Sequence, residues 1–155
     1  MPLVLGTVRL VDSTKSSDVA GTAFGYVDSA GTRVDVFLYA VPPARLSQGA
    51  TASLEHEAAV YLRALAQEAR ENGYERFEEI VDTLRHVEID DGSVPVRIIV
   101  SVSARPQGTF VSFAHLFVLG SHYLKVRLTL PSQVWQVSRA PDFALDLIKQ
   151  LHSRH

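Results

Sequence analysis

The amino-acid sequence predicts an α+β fold: a central antiparallel sheet of about six strands flanked by helices. Three observations predict it. Phe117 to Pro131 reads as a β-hairpin whose second strand alternates, with Leu124, Val126, Leu128 and Leu130 on one side and Tyr123, Lys125, Arg127 and Thr129 on the other. Successive side chains of a strand point to opposite faces, so this strand buries one face and keeps a polar, cationic one. Val94, Val96, Ile98, Val100 and Val102 repeat the alternation. Between the β-rich segments, Leu54, Ala58, Tyr61, Leu62, Leu65 and Ala69 recur at helical spacing and form one apolar stripe.

The chain has 155 residues, 46% of them hydrophobic and 21% charged, which suits a single α+β domain over 1–155 with its own core. A net charge of -2 gives no excess of cations for capture of nucleic acid or an anionic membrane. With no cysteine, disulfides, thiolate chemistry and cysteine-bound zinc are excluded. No apolar run approaches the roughly 20 residues of a membrane span. The start, Met1 to Gly6, lacks the basic and long apolar regions of a signal peptide; the chain is cytoplasmic if complete as given, or a signal has been removed.

In chain order, Thr7 to Asp12 is a short strand and Ser13 to Asp18 a polar turn. Val19 to Val27 and Arg33 to Tyr39 are strands around the Asp28–Gly31 turn, since a short loop holding Asp and Gly between β-rich runs signals a hairpin. Pro42 and Pro43 end the second of these. The helix from about Thr51 to Asn72 is expected to be capped by Thr51 or Ser53 and to end at Gly73, which adopts the left-handed C′ conformation without penalty. Tyr74 to Phe77 reads as a helical turn or a loop. Glu79 to Ile89 is a strand anchored by Ile80, Val87 and Ile89, closed by the Asp90–Gly92 turn. Arg105 to Gly108 is a second turn, and Phe110 to Leu119, apolar on both faces, a doubly covered central strand. Pro141 to His152 is a closing helix with proline at a favoured first-turn position. Consecutive strands with short loops pair antiparallel, and helices packed on such a sheet make an α+β layer structure.

The run Arg33 to Tyr39, the Ala-rich helix ending at Gly73-Tyr74, and the strand Tyr123 to Pro131 resemble the PsbP-like superfamily, which also contains a Ran-binding nuclear import factor, and within it the small bacterial members. The resemblance implies a central antiparallel sheet flanked by helices, a binding or assembly role without enzymatic activity, and a periplasmic or envelope location where a signal peptide has been trimmed. It carries over no manganese, calcium or Ran site.

No complete catalytic, metal or nucleotide motif is present. His56-Glu57 begins the helical zinc-protease pattern, but Val60 stands where the second histidine must be. Of the six histidines, His115 reads as a core histidine with a hydrogen-bond partner and His122 as an exposed turn residue. A tight turn at Gly120-Ser121 pairs Leu119 with His122 and puts His115 opposite Arg127 or nearby, too far from His122 for a shared metal. Gly120-Ser121-His122 is not a nucleophile elbow, because its next element is a strand. Gly21 to Gly25 lacks the lysine of a phosphate loop.

The polar sheet face is the remaining candidate. If the strands Arg33 to Tyr39, Val94 to Ala104 and Tyr123 to Leu130 share one sheet, that face gathers Arg33, Asp35, Phe37, Tyr39, Arg97, Tyr123, Lys125 and Arg127. Cations and aromatics together can hold an anionic or planar group. The plainer alternative has Asp35 pairing with an arginine and the aromatics packing under a helix. The sequence therefore supports first a non-enzymatic module binding a protein partner, or a second copy as a homodimer. Second is a binder of small anions through Arg33, Tyr39, Arg97, Tyr123, Lys125 and Arg127; third is an enzyme, for which no acid, base and nucleophile set is visible. No cofactor is expected. A deep pocket lined by Arg97, Tyr123 and Arg127 would favour the ligand reading.

Overall fold

The computed structural model describes residues 4–5, 8–15, 21–27, 32–133 and 149. The Asp28–Gly31 turn and, apart from Lys149, the expected closing helix lie outside them. The strands are β1 (Val4–Leu5), β2 (Val8–Lys15), β3 (Thr22–Val27), β4 (Arg33–Ala40), β5 (Arg76–Ile89), β6 (Gly92–Arg105), β7 (Gly108–Leu119) and β8 (His122–Pro131), with helices α1 (Pro43–Leu46) and α2 (Ala50–Glu71) between β4 and β5. The central antiparallel sheet is as expected, with eight described strands in the order β1-β2-β3-β4-β8-β7-β6-β5. Ser13 to Lys15, read as a turn, continue β2 in register with β3.

This order is two meanders joined at one seam. The chain runs β1 to β4, crosses through the helices to the far edge at β5, and returns strand by strand until β8 lands on β4. At the seam Val34 pairs with Leu128, Val36 with Val126 and Leu38 with Leu124. These residues, with Val94, Val96, Phe117 and Leu130, form one buried apolar face. The opposite face is roofed by α2, whose Leu54, Ala58 and Tyr61 pack on Ile99, Ala114, Leu116 and Tyr123. The strand alternation thus resolves into two buried faces, and the polar side of β8 lies against the helix.

The ends of α2 differ from each other in how far the sequence announces them. Gly49, with φ of 95°, takes the N-cap, and no side chain caps the helix, contrary to the expected Thr51 or Ser53. Ser53 is instead buried, and its hydroxyl donates to the Arg45 carbonyl at 2.8 Å, tying α2 to α1. Ser53→Ala is expected to cost about 1 kcal/mol, the net worth of such a bond, measured by denaturant unfolding. At the C-terminus Gly73 (φ 64°) takes the C′ position. Tyr74 N–H bonds the Ala69 carbonyl and Gly73 N–H the Arg70 carbonyl, the paired bonds of a Schellman motif.

Tyr74 to Phe77 prove to be the entry into the sheet: Glu75 N–H donates to the Ala104 carbonyl, and β5 begins at Arg76. Ile80 is no core anchor. A bulge between Glu79 and Val81 shifts the register there, and Ile80 is left 55% exposed on this edge strand. An extra residue in a strand reverses the inward-outward phase of the residues after it, so alternation counted across Ile80 gives the wrong face. Val87 and Ile89 do pack on the core. Among the described residues no helix is long and apolar enough to cross a membrane.

Candidate functional site

The polar face expected from the sequence exists, but α2 divides it. In register, Tyr39 lies opposite Tyr123, Phe37 opposite Lys125, Asp35 opposite Arg127 and Arg33 opposite Thr129. Tyr123 is 1% exposed and donates its hydroxyl to the Ser53 carbonyl at 3.1 Å. Tyr39 donates to Glu57 Oε1 at 2.5 Å. Burial first, and then the bond to Glu57, pushes the Tyr39 hydroxyl far above its ordinary pKa. Lys125 lies over three rings, 4.6 Å from the centroid of Phe37, 4.8 Å from Tyr61 and 5.7 Å from Tyr39. Burial, with repulsion from Arg127, brings its ammonium down to about 8. The aromatics therefore pack under the helix and around the lysine, as in the plainer of the two sequence readings.

Arg97 leaves the group altogether. It pairs with Asp82 on β5 at 2.5 Å, and that bond raises its pKa. Asp35 accepts from Arg33 Nε at 2.9 Å and from an Arg127 terminal nitrogen at 3.3 Å. Burial opposes the charge on Arg127, but Tyr61 and Asp35 outweigh it and hold the guanidinium protonated.

Beyond this packed zone, towards the C-terminal turns of α2, the sheet face opens into a cleft of about 160 Å³. The register explains why space is left there. Ile99, Ala114 and Arg127 form one row across the strands, and Ser101, Ser112 and Thr129 form the next. Small hydroxyl side chains cannot fill the height that Ile99 and Leu116 fill nearer the start of α2. Ser101, Ser103 and Ser112 are nevertheless buried, so the cleft floor is a set of hydroxyls under a helix. Arg33, Arg105 and Arg127 reach its walls, together with Asp35, Glu68 and Leu65.

Two features mark this cleft. The Ser112 hydroxyl and Arg127 Nε, both in its lining, are buried without a hydrogen-bond partner, as is the neighbouring Tyr61 hydroxyl. Burial raises the Tyr61 pKa; Arg127 and Ser112 lie near enough to temper that rise, yet no well-formed bond joins the three. Buried polar groups are nearly always paired, so these atoms call for an oxygen from outside the chain, from water or from a ligand. The second feature is Arg105, on the last position of β6. Its guanidinium lies 4.9 Å from the ring centroids of both Tyr74 and Phe110, and its Nε donates to Ser103 Oγ at 2.9 Å. Among the described residues no carboxylate pairs with it.

Of the residues expected from the sequence, Arg33 and Arg127 reach the cleft, Tyr39, Tyr123 and Lys125 lie beneath the helix, and Arg97 is engaged elsewhere. Arg105, Ser101, Ser103 and Ser112 escaped the reading. The serines alternate with valines and look like solvent-facing positions, and Arg105 was assigned to a turn. The two-residue connections at Pro106-Gln107 and Gly120-Ser121 carried the needed signal, since they place Ser101, Ser112 and Thr129 in one row. His122 is exposed, as expected. His115 is 1% exposed on the opposite sheet face, paired with Val126; its Nδ1 has no partner, against the partner expected. Apolar neighbours supply none, and burial lowers its pKa to about 4. No group of three metal-ligating side chains occurs among the described residues.

Neither protein-family models nor curated protein sequences give a match to this chain. Among solved structures it is similar to the solution structure of cyanobacterial PsbP (CyanoP) from Synechocystis sp. PCC 6803, with a TM-score of 0.61 at 12% identity over 93% of this chain and 81% of that chain. Likeness at that identity speaks for the fold, and the chain has a PsbP-like α+β fold.

Proposed function

We propose that this protein is a non-enzymatic binding module that captures an anionic group in the cleft beside the C-terminal turns of α2. The observation that carries the reading is Arg105, a guanidinium with no carboxylate partner among the described residues, held over two aromatic rings and by Ser103 at the mouth of a hydroxyl-lined cleft. Cation–π contacts of this kind are worth about 0.5–2 kcal/mol each. They fix the side chain before a ligand arrives, which reduces the ordering cost of binding. A planar fork of N–H donors matches a carboxylate or phosphate edge. An anion bonded to Arg105 has the hydroxyls of Ser101, Ser103 and Ser112 within the same cleft. Support for a non-enzymatic role is that, among the described residues, no histidine lines the cleft with these serines: His115 faces the other side of the sheet, and Asp35 is occupied by two arginines.

The test is ligand-linked stability. The melting temperature of the wild type should rise as acetate replaces chloride at constant ionic strength, because a ligand that binds only the folded state stabilises it. Arg105→Gln should fold and lose that rise. No rise in the wild type, or an equal rise in the variant, would remove the basis of the reading.

A further inference from the structure

We infer that the anion is a peptide carboxylate, and that the adjoining shelf holds the peptide that carries it; this rests on the anion-binding reading above. The cleft does not end at Arg105. A more open depression of about 520 Å³ continues from it, sharing Glu68, Tyr74 and Arg105 and adding Asn72, Pro106, Gln107 and Phe110. Arg105 therefore stands at the boundary between an inner polar compartment and an outer shelf.

Charge decides between ligand classes. Among the described residues that line the two compartments, three arginines, Arg33, Arg105 and Arg127, stand against two carboxylates, Asp35 and Glu68, an excess of one positive charge. Among the described residues the shelf adds no cation beyond Arg105. A polyanion such as a nucleic acid or an inositol phosphate would bring several negative charges against Asp35 and Glu68 where the described lining has an excess of only one cation, and the chain as a whole is net negative. One negative charge on an otherwise neutral ligand balances the site.

The chemistry of the shelf suits a peptide. Asn72 gives an N–H to the Glu68 carbonyl at 3.0 Å, which leaves its side-chain oxygen as an acceptor, while Gln107 offers both a donor and an acceptor. Together they complement peptide N–H and C=O groups. Pro106 and the Phe110 ring supply apolar contact between them. A chain-terminal carboxylate and an Asp or Glu side chain share this chemistry, and both leave an uncharged backbone to lie on the shelf.

Calorimetric titrations with four probes separate the possibilities: acetyl-Gly-Phe-Ala with a free carboxylate, acetyl-Gly-Phe-Glu amide, acetyl-Gly-Phe-Gln amide, and acetate alone, with inorganic phosphate as a competitor. At least one acidic peptide should bind about tenfold tighter than acetate, roughly 1.4 kcal/mol from the shelf contacts. The neutral amide should not bind, and Arg105→Gln should abolish peptide binding. Whichever acidic peptide binds tighter identifies the source of the carboxylate. Acetate binding with neither acidic peptide any tighter leaves the anion site standing and overturns the peptide. Phosphate binding tighter than both peptides also overturns it, and a neutral amide that binds equally well removes the carboxylate. Failure of every probe, acetate included, ends both readings.

Discussion

Val126→Asp is expected to unfold this protein. Val126 is fully buried at the seam where the two meanders meet, opposite Val36 on β4 and His115 on β7. Among the described residues a carboxylate there has no cation to meet, because the arginines and Lys125 of β8 point to the helix side and burial keeps the opposite His115 imidazole neutral. Burial of an unpaired charge costs several kcal/mol after relaxation, on top of roughly 1.5 kcal/mol or more of lost apolar burial. That total approaches the whole stability of a domain of this size, about 5–15 kcal/mol. Far-ultraviolet circular dichroism should show loss of the sheet. Val81→Asp is the control: Val81 is 37% exposed on the edge strand, and the same substitution there should leave the spectrum native. A native melting profile for Val126→Asp would show that the buried face has been misassigned.

Acid is expected to destabilise the fold through His115. The folded state holds its pKa at about 4, because a buried imidazole without a carboxylate neighbour resists charge; in the unfolded chain the value is the ordinary 6.5. Its side chain lies between Ile98 and Val126 on the neighbouring strands. A depressed folded pKa means that the stabilising contribution is complete above the unfolded value. It is lost as the pH falls through the window from 6.5 to about 4, where the unfolded chain takes up a proton that the folded one refuses. The shift corresponds to about 3 kcal/mol. Other carboxylates also titrate in acid, so the informative quantity is a difference. The stability gap between wild type and His115→Phe should change by about 3 kcal/mol across that window, in favour of the phenylalanine variant at low pH. Parallel pH profiles would show that His115 is not held neutral.

The same residue shows where the sequence was informative and where it was not. Hairpin geometry is local, so a two-residue turn at Gly120-Ser121 fixes which residue faces which, and His115 was placed within one residue of its true partner. The helix stripe and Gly73 were legible for the same reason: period and capping act over a few residues. The union of β4 with β8 is not local. Asp35 and Arg127 are brought together by the closure of the whole chain, and only the fold reveals that Arg33 and Arg127 share a wall while Arg97 goes to Asp82. The cleft was hidden by a subtler rule. Polar residues alternating with valines signal solvent when their face is exposed, but here the serine side of the sheet lies under α2, so Ser101, Ser103 and Ser112 are buried. Ile80 misled because a bulge changes the phase without leaving any mark in residue type.

The side-chain Nε–H resonance of Arg105 reports anion capture in the cleft directly. Titration of acetate into labelled protein at constant ionic strength should move the Arg105 and Arg127 Nε–H signals together and saturably. The Arg97 signal, locked on Asp82 outside the cleft, should stay still. Movement of Arg97 in step with the other two, or no saturable movement of Arg105, would contradict an anion site in this cleft.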